Sequence, residues 1–377
     1  MEIFAKVRVF MRKWMLKLLL AISLIGAVAS RNSVSAIEGI TSTCGIVMEQ
    51  LTGRVLFEKC ADDEMYIASI TKILTAMVAV ENADLTEWVE ITSDDVHQVG
   101  SSLYMVQGDR MQLEDLIYGL MLRSGNDAAW AIARHVGGGD VDAFVAMMNE
   151  KAGSIGMVNS SFQNPSGLDE TTYNLSTARD MALLQRYAMN NPMFREISYE
   201  SMHRATSEQG KNFVWKNKHR LVNGRYEYAI SGKTGFTEQA KRTLVTSANN
   251  GDIELVAVTI KGGDDWNDHI RMFEYGFNNF EMQRVLDIGE LEIMEDDLLQ
   301  LAGFDRLFVR EERSVLLGTS EQVRKHLVMQ NHDDGEAVGV LEILIDDQVV
   351  DTIEVYEFID FPTGNWWRRV VDWIVGF

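Results

Sequence analysis

The sequence predicts an α/β (α+β) fold: an antiparallel sheet with a helical subdomain, then a small β-rich C-terminal domain and a C-terminal amphipathic helix. Three observations predict it. Apolar residues recur at helical spacing through the middle of the chain, as in Leu113, Leu116, Ile117, Leu120 and Met121. Strand-like runs bracket that region, at residues 43–60 before it and from Ala229 to Ile260 after it. Beyond Phe280 the apolar runs are short, β-type and separated by charged or glycine-bearing turns. With 377 residues, 46% hydrophobic and 24% charged, the chain is long enough for two or three domains, each with its own core. The expected division is 1–36, 37–282, 283–362 and 363–377.

Residues 1–36 hold Lys6, Arg8, Arg12, Lys13, Lys17 and Arg31 against a single acid, Glu2. The apolar segment Leu18–Val28 follows the basic part, and small residues come next. Val34-Ser35-Ala36 suits cleavage, with Ala27-Val28-Ala29 as the alternative. This pattern reads as a secretory signal peptide, because an uncleaved anchor would need about 20 apolar residues. Without it the net charge moves from −21 to −26. Such a surface repels nucleic acid.

Strands Thr43–Met48 and Val55–Cys60 read as a hairpin about Thr52-Gly53, which sets Cys44 across from Cys60. A disulfide between them is permitted outside the cytosol, the alternative being two small apolar strand residues. With no CxxC spacing and no nearby His, neither reads as catalytic. Residues 66–82 read as a helix, and 83–110 as mixed structure with a turn at Gly108-Asp109. A helix over Leu113–Leu122 ends at Ser124-Gly125-Asn126, with Gly125 making the turn. Helices over Asp127–Val136, halted by Gly137-Gly138-Gly139, and over Asp140–Ser154 follow. Asn164-Pro165-Ser166-Gly167-Leu168 is a turn, and Thr177–Met189 is again amphipathic. From Ala229 the pattern becomes strand-like. Lys233-Thr234-Gly235 lies in the first strand, and Leu244-Val245-Thr246 and Leu255–Ile260 belong to its neighbours.

The β-rich domain has runs at Val285–Ile288, Arg306–Val309, Ser314–Leu317, Val338–Ile345 and Val349–Val355, and no catalytic cluster. It reads as a spacer or an interaction module. In residues 364–377, Trp366, Val370, Trp373, Ile374 and Phe377 share one helical face, with Asn365, Arg368, Arg369, Asp372 and Gly376 opposite. A helix of about 21 Å is too short to span a bilayer. Three tryptophans and two arginines suit the headgroup boundary.

Three short motifs carry chemistry. In Ser69-Ile70-Thr71-Lys72, a helix starting near Ser69 puts an amine beside a hydroxyl at the positive end of the dipole. A serine nucleophile needs such a base, and backbone N–H donors for the oxyanion. Ser69 and Phe236 are the candidate donors. Lys72 accepts a proton only when neutral, which burial and a nearby cation favour, and Lys233 is the candidate cation. Ser124 offers a hydroxyl to relay a proton to a leaving amine, and Asn126 an amide for a peptide group. Lys233 and Thr234 suit a terminal carboxylate. Gly235, lacking a side chain, lets a substrate lie along the strand.

Taken together, Ser69-Ile70-Thr71-Lys72, Ser124-Gly125-Asn126-Asp127-Ala128-Ala129, Asn164-Pro165-Ser166-Gly167-Leu168, Ser176-Thr177-Ala178-Arg179-Asp180 and Lys233-Thr234-Gly235-Phe236-Thr237 resemble the low-molecular-mass penicillin-binding proteins. These are serine-type D-alanyl-D-alanine carboxypeptidases. Thr52-Gly53-Arg54-Val55-Leu56-Phe57-Glu58-Lys59, Tyr275-Gly276-Phe277, the β-rich domain and the terminal helix extend the resemblance over nearly the whole chain. It implies a penicillin-binding/β-lactamase-like transpeptidase fold. It also implies removal of the terminal D-alanine from peptidoglycan stems at the outer face of the cytoplasmic membrane, acylation by β-lactams, and no metal or cofactor. Lys218 falls where the family often places an Arg near the substrate carboxylate. Two departures stand out. Ser166 replaces a frequent His, and Ala240-Lys241 replaces a common Ala-Gly. The alternatives are a class A-like β-lactamase, with Glu170 and Asn174 at a suggestive spacing, and a catalytically silent wall-binding module.

Overall fold

A computed structural model describes residues 37–291, 307–329 and 337–357. The leader expected at 1–36 and the amphipathic helix at 363–377 lie outside the described residues. A five-stranded antiparallel sheet forms the frame. Its strands are β1 (Cys44–Glu49), β2 (Val55–Lys59), β3 (Ala229–Thr237), β4 (Lys241–Asn249) and β5 (Glu254–Gly262), in the order β2-β1-β5-β4-β3. The expected hairpin is there, ending one residue early because Cys60 takes a left-handed φ of 46°.

Each face of the sheet meets helices. Cys44, Ile46 and Met48 alternate inward from β1 into the main core, as the two-residue period of a strand dictates. That core is built by α1 (Lys72–Asn82), α2 (Leu113–Arg123), α3 (Asn126–Val136), α4 (Val141–Ile155) and α5 (Ala178–Met189). Within it, α1 is buried without interruption from Lys72 to Ala79, the mark of a helix enclosed on all sides. Asp140 and Thr177 stand as N-caps of α4 and α5 rather than inside them, each accepting a backbone N–H of the first turn.

Several elements depart from the sequence reading. Helix α6 (Pro192–Tyr199) is capped by Asn191 and opens on a proline, and the hairpin Met202–Thr206/Asn212–Lys216 follows it. Helix α7 (Asp265–Asn279) covers the opposite face of the sheet, where Met272 meets Gly45. Its buried stripe of Trp266, His269, Met272, Phe273 and Gly276 mixes aromatic, imidazole and glycine residues, which hides the helical period.

Beyond α7 lies a second apolar cluster that includes Leu286, Val315, Leu341, Ile343 and Val355. Phe280–Leu286 pairs with Arg313–Gly318, and a five-stranded sheet runs Gly289–Glu290, Leu307–Val309, Gln348–Glu357, Gly339–Ile345, Val323–Met329. The strand Val323–Met329 went unread because Arg324, Lys325 and His326 interrupt it; all three are exposed. Arg54 joins the β1–β2 turn to this region. It donates to the Leu316 carbonyl, pairs with Glu321 and lies 5.3 Å over the Phe280 ring.

Candidate active site

The nucleophile sits where chain direction changes. Ala68, at a left-handed φ of 51°, opens a single 3₁₀ turn over Ala68–Thr71 that feeds α1. Ser69 therefore stands at the helix N-terminus as expected, with the 3₁₀ turn taking the first residues. Three residues on, Lys72 Nζ lies 3.1 Å from Ser69 Oγ.

Lys72 is fully buried. Its amine also donates to Asn126 Oδ1 at 2.8 Å and to the Ser166 carbonyl at 2.5 Å. Asn126 Nδ2 is committed to the Val99 carbonyl at 2.6 Å, which fixes the amide with its oxygen toward Lys72. Both acceptors can only receive hydrogen. A neutral amine has two hydrogens and one lone pair, so these two partners aim the lone pair at the Ser69 hydroxyl. Burial, and then the charge of Lys218, lowers Lys72 from the usual lysine range to about 7, with Asp127 opposing. Lys218 therefore joins the expected Lys233 among the lysines around Lys72, and Lys72 and Lys233 disfavour each other's charge.

Ser124 ends α2 in a left-handed conformation, φ 64° and ψ 35°. The sequence reading assigned that turn to Gly125, which instead has φ −59°. The kink turns the Ser124 hydroxyl toward β3, where Lys233 Nζ donates to it at 3.0 Å. Lys233 is buried, donates to the Thr234 carbonyl at 2.8 Å, and is held well below its ordinary pKa by burial and by Lys72 and Lys218. Behind it, His219 is buried against Val245 and Thr246 and kept neutral at about 3, mainly by burial. Lys218 is exposed, and its Nζ donates to Ser101 Oγ at 3.1 Å. Lys72, Lys218 and Lys233 thus converge in a chain of net charge −21, and whichever of these amines carries a proton draws an anion toward the site.

β3 is the last strand of its sheet, so among the described residues one of its hydrogen-bonding edges carries no partner strand. At Gly235 a Cβ would lie 2.3 Å from Thr243 Oγ1 and 2.9 Å from the Ser69 nitrogen. Glycine is what lets the strand lie against the Ser69 turn. Thr234 is partly exposed beside that edge, and Phe236 is exposed.

Some supports escaped the sequence reading. The Ser166 carbonyl holds Lys72, and a backbone acceptor has no residue-type signature. Gly167, with φ 80°, packs so tightly that a Cβ would fall 1.9 Å from the Ala68 carbonyl oxygen. Asp127 is buried and accepts from Ser102 Oγ, the Leu103 nitrogen and the Ala128 nitrogen. It thereby pins the 99–103 loop, whose Ser101 carbonyl accepts from the Asn126 nitrogen at 2.7 Å.

The two departures are now explicable. The Ser166 hydroxyl bonds locally to Asn164 Oδ1 at 3.2 Å, while the part turned to Lys72 is its backbone. Lys241 has φ 55°, a left-handed position that favours glycine. Its amine pairs with Glu238 at 3.2 Å on the surface. Asn174 is consumed by bonds to Thr71 Oγ1 and the Asn164 carbonyl, and Glu170 is exposed. That leaves the lactamase alternative without its poised base.

The sequence profile of the D-alanyl-D-alanine carboxypeptidase family matches residues 30–263. The D-alanyl-D-alanine carboxypeptidase DacF of Bacillus subtilis is 27% identical over 328 residues, 81% of this chain and 82% of its own. The crystal structure of D-alanyl-D-alanine carboxypeptidase from Mycobacterium tuberculosis H37Rv superposes with a TM-score of 0.61 at 33% identity, covering 64% of this chain and 93% of that one. DacD from Francisella tularensis, at 21% identity, shares the fold over 89% of this chain and 97% of its own, with a TM-score of 0.69.

Proposed function

The chain belongs to the family of D-alanyl-D-alanine carboxypeptidases and is a serine-type hydrolase of that kind; from this premise we propose that it removes the terminal D-alanine of peptidoglycan stem peptides through an acyl-enzyme on Ser69. The observation that carries the mechanism is the buried Lys72 amine 3.1 Å from Ser69 Oγ, with its other two partners fixed as acceptors. Neutral Lys72 takes the Ser69 proton as Oγ attacks the carbonyl of the penultimate D-alanine. The backbone N–H groups of Ser69 and Phe236 hold the oxyanion. Ser124, bonded to Lys233, returns a proton to the departing D-alanine nitrogen. Lys233, Thr234 and Lys218 hold the terminal carboxylate, and the open edge of β3 pairs with the peptide backbone. Asn126 serves chiefly to aim Lys72, leaving one amide hydrogen for substrate. Water then hydrolyses the ester, and a β-lactam acylates the same hydroxyl.

In this reading residues 37–282 perform the chemistry and 283–362 form a β-rich spacer. Residues 1–36 direct export, and 363–377 rest the enzyme on the outer face of the cytoplasmic membrane. Among the described residues no helix is long and apolar enough to cross a membrane.

Mass spectrometry with penicillin and with a peptide ending in D-Ala-D-Ala tests the proposal. A stable penicilloyl adduct on Ser69, absent from Ser69→Ala, together with release of D-alanine is the expected result. Rapid destruction of penicillin would instead indicate a lactamase. An adduct without D-alanine release would indicate a binding module or a transpeptidase lacking its acceptor. No adduct on folded protein overturns the nucleophile itself.

A further inference from the structure

Cys44 and Cys60 are the two cysteines of the chain and take no part in the chemistry above. In the β1–β2 hairpin Gly45 faces Lys59, so one further antiparallel step would put Cys44 opposite Cys60. Cys60 leaves the ladder at its left-handed φ of 46°, and the turn still keeps its side chain beside that of Cys44. The two sulfurs and an Asp63 carboxylate oxygen lie within 4.8 Å of one another. Both thiols are free, Cys44 buried and Cys60 exposed.

We propose that Cys44 and Cys60 are a disulfide-forming pair that clasps β2 to β1 once the protein meets a disulfide-bearing oxidant. The exposed Cys60 thiolate attacks one sulfur of the oxidant, forming a mixed disulfide and releasing one oxidant thiol. Cys44 then loses its proton and attacks the Cys60 sulfur, releasing the second. Two protein thiols and one external disulfide become one protein disulfide and two external thiols. The compartment that supplies the oxidant rests on the export reading above; the geometry does not.

The asymmetry of the pair governs its reversal. Burial, and then Cys60, pushes the Cys44 thiol up to about 12. An external reductant reaches the exposed Cys60 side and must expel the buried Cys44 as thiolate, a poor leaving group because burial disfavours its charge. The bond is therefore slow to reduce while the protein is folded. Its position gives it a use. Immediately after Cys60, the Ala61 carbonyl accepts from the Arg179 nitrogen at 3.0 Å, and the connection then runs through the Met65–Tyr66 strand to Ser69. The clasp fixes the start of the segment that delivers the nucleophile.

The full chain, reduced and freed of reductant, is incubated with oxidised glutathione, denatured, alkylated with iodoacetamide and weighed intact. Loss of two hydrogens with no alkylation and no glutathione is the expected result, together with a rise in the unfolding midpoint that Cys60→Ser abolishes. Native reduction is expected to be at least tenfold slower than reduction after denaturation. Two alkylated cysteines, a persistent glutathione adduct on Cys60, or a disulfide-linked dimer overturns the proposal. So does oxidation that proceeds only after a chelator removes a co-purifying zinc ion, which would assign Cys44, Cys60 and Asp63 to a metal. Penicillin acylation is read in parallel, so failure of the clasp and failure of the proposed activity are told apart.

Discussion

A lysine amine becomes a useful base here because its hydrogens are already assigned. Asn126 Oδ1 and the Ser166 carbonyl accept two of them, and burial removes the advantage of holding a third. The sign of the pH dependence follows. Lys72 is held down to about 7, so its neutral fraction grows as pH rises through that value. Penicillin acylation, followed by stopped flow or mass spectrometry, is expected to climb tenfold per unit below about pH 7 and level off above it. Lys218 is one cause of the depression, so Lys218→Ala is expected to move that limb to higher pH. A variant that lost rate uniformly, with its limb unmoved, would show that Lys218 acts on substrate alone. The Ser69–Lys72 pair was legible in the sequence because a helix turns a spacing of three into contact. The Ser166 carbonyl was not, since any residue type supplies one.

At the scale of elements, two positions on the β3–β4 hairpin make opposite demands. Gly235 must be bare for β3 to lie against Ser69. Gly235→Ala is expected to cut acylation about a hundredfold, because β3 and the Phe236 donor it carries retreat from Ser69 by a fraction of an ångström. The check is a kinetic comparison on variant protein with an unchanged unfolding midpoint. Lys241, by contrast, bears a side chain where the backbone favours none. Lys241→Gly is expected to stabilise the protein by about 1 kcal/mol in denaturant unfolding, the cost of a left-handed non-glycine residue, with acylation unchanged. Its left-handed conformation explains why Ala-Gly is common there, which the sequence comparison registered without a cause. Ser124 shows the same limit. Its place between two helices was legible, but its own left-handed φ was assigned to the neighbouring glycine, the residue type that usually takes it.

For the molecule as a whole, the main sheet and its helical layer followed from residue periodicity. Helix α7 did not, because its stripe is built from Trp266, His269 and Phe273 rather than aliphatics. The joint between the two apolar clusters was equally hidden, since it depends on single long-range contacts. Arg54 makes three of them at once. Arg54→Ala is expected to quicken limited proteolysis between 283 and 329 while leaving penicillin acylation as it was. Equal proteolysis rates would show that other contacts hold the β-rich region in place.

The free edge of β3 has a colloidal consequence. Backbone N–H and C=O groups offered to a peptide are offered equally to a strand of another molecule, and exposed Phe236 adds an apolar contact beside them. Occupancy of the site is then also a form of capping. Light scattering of concentrated protein is expected to show slower self-association for the acylated form than for the free one, and equal rates would show that this edge is not where molecules associate.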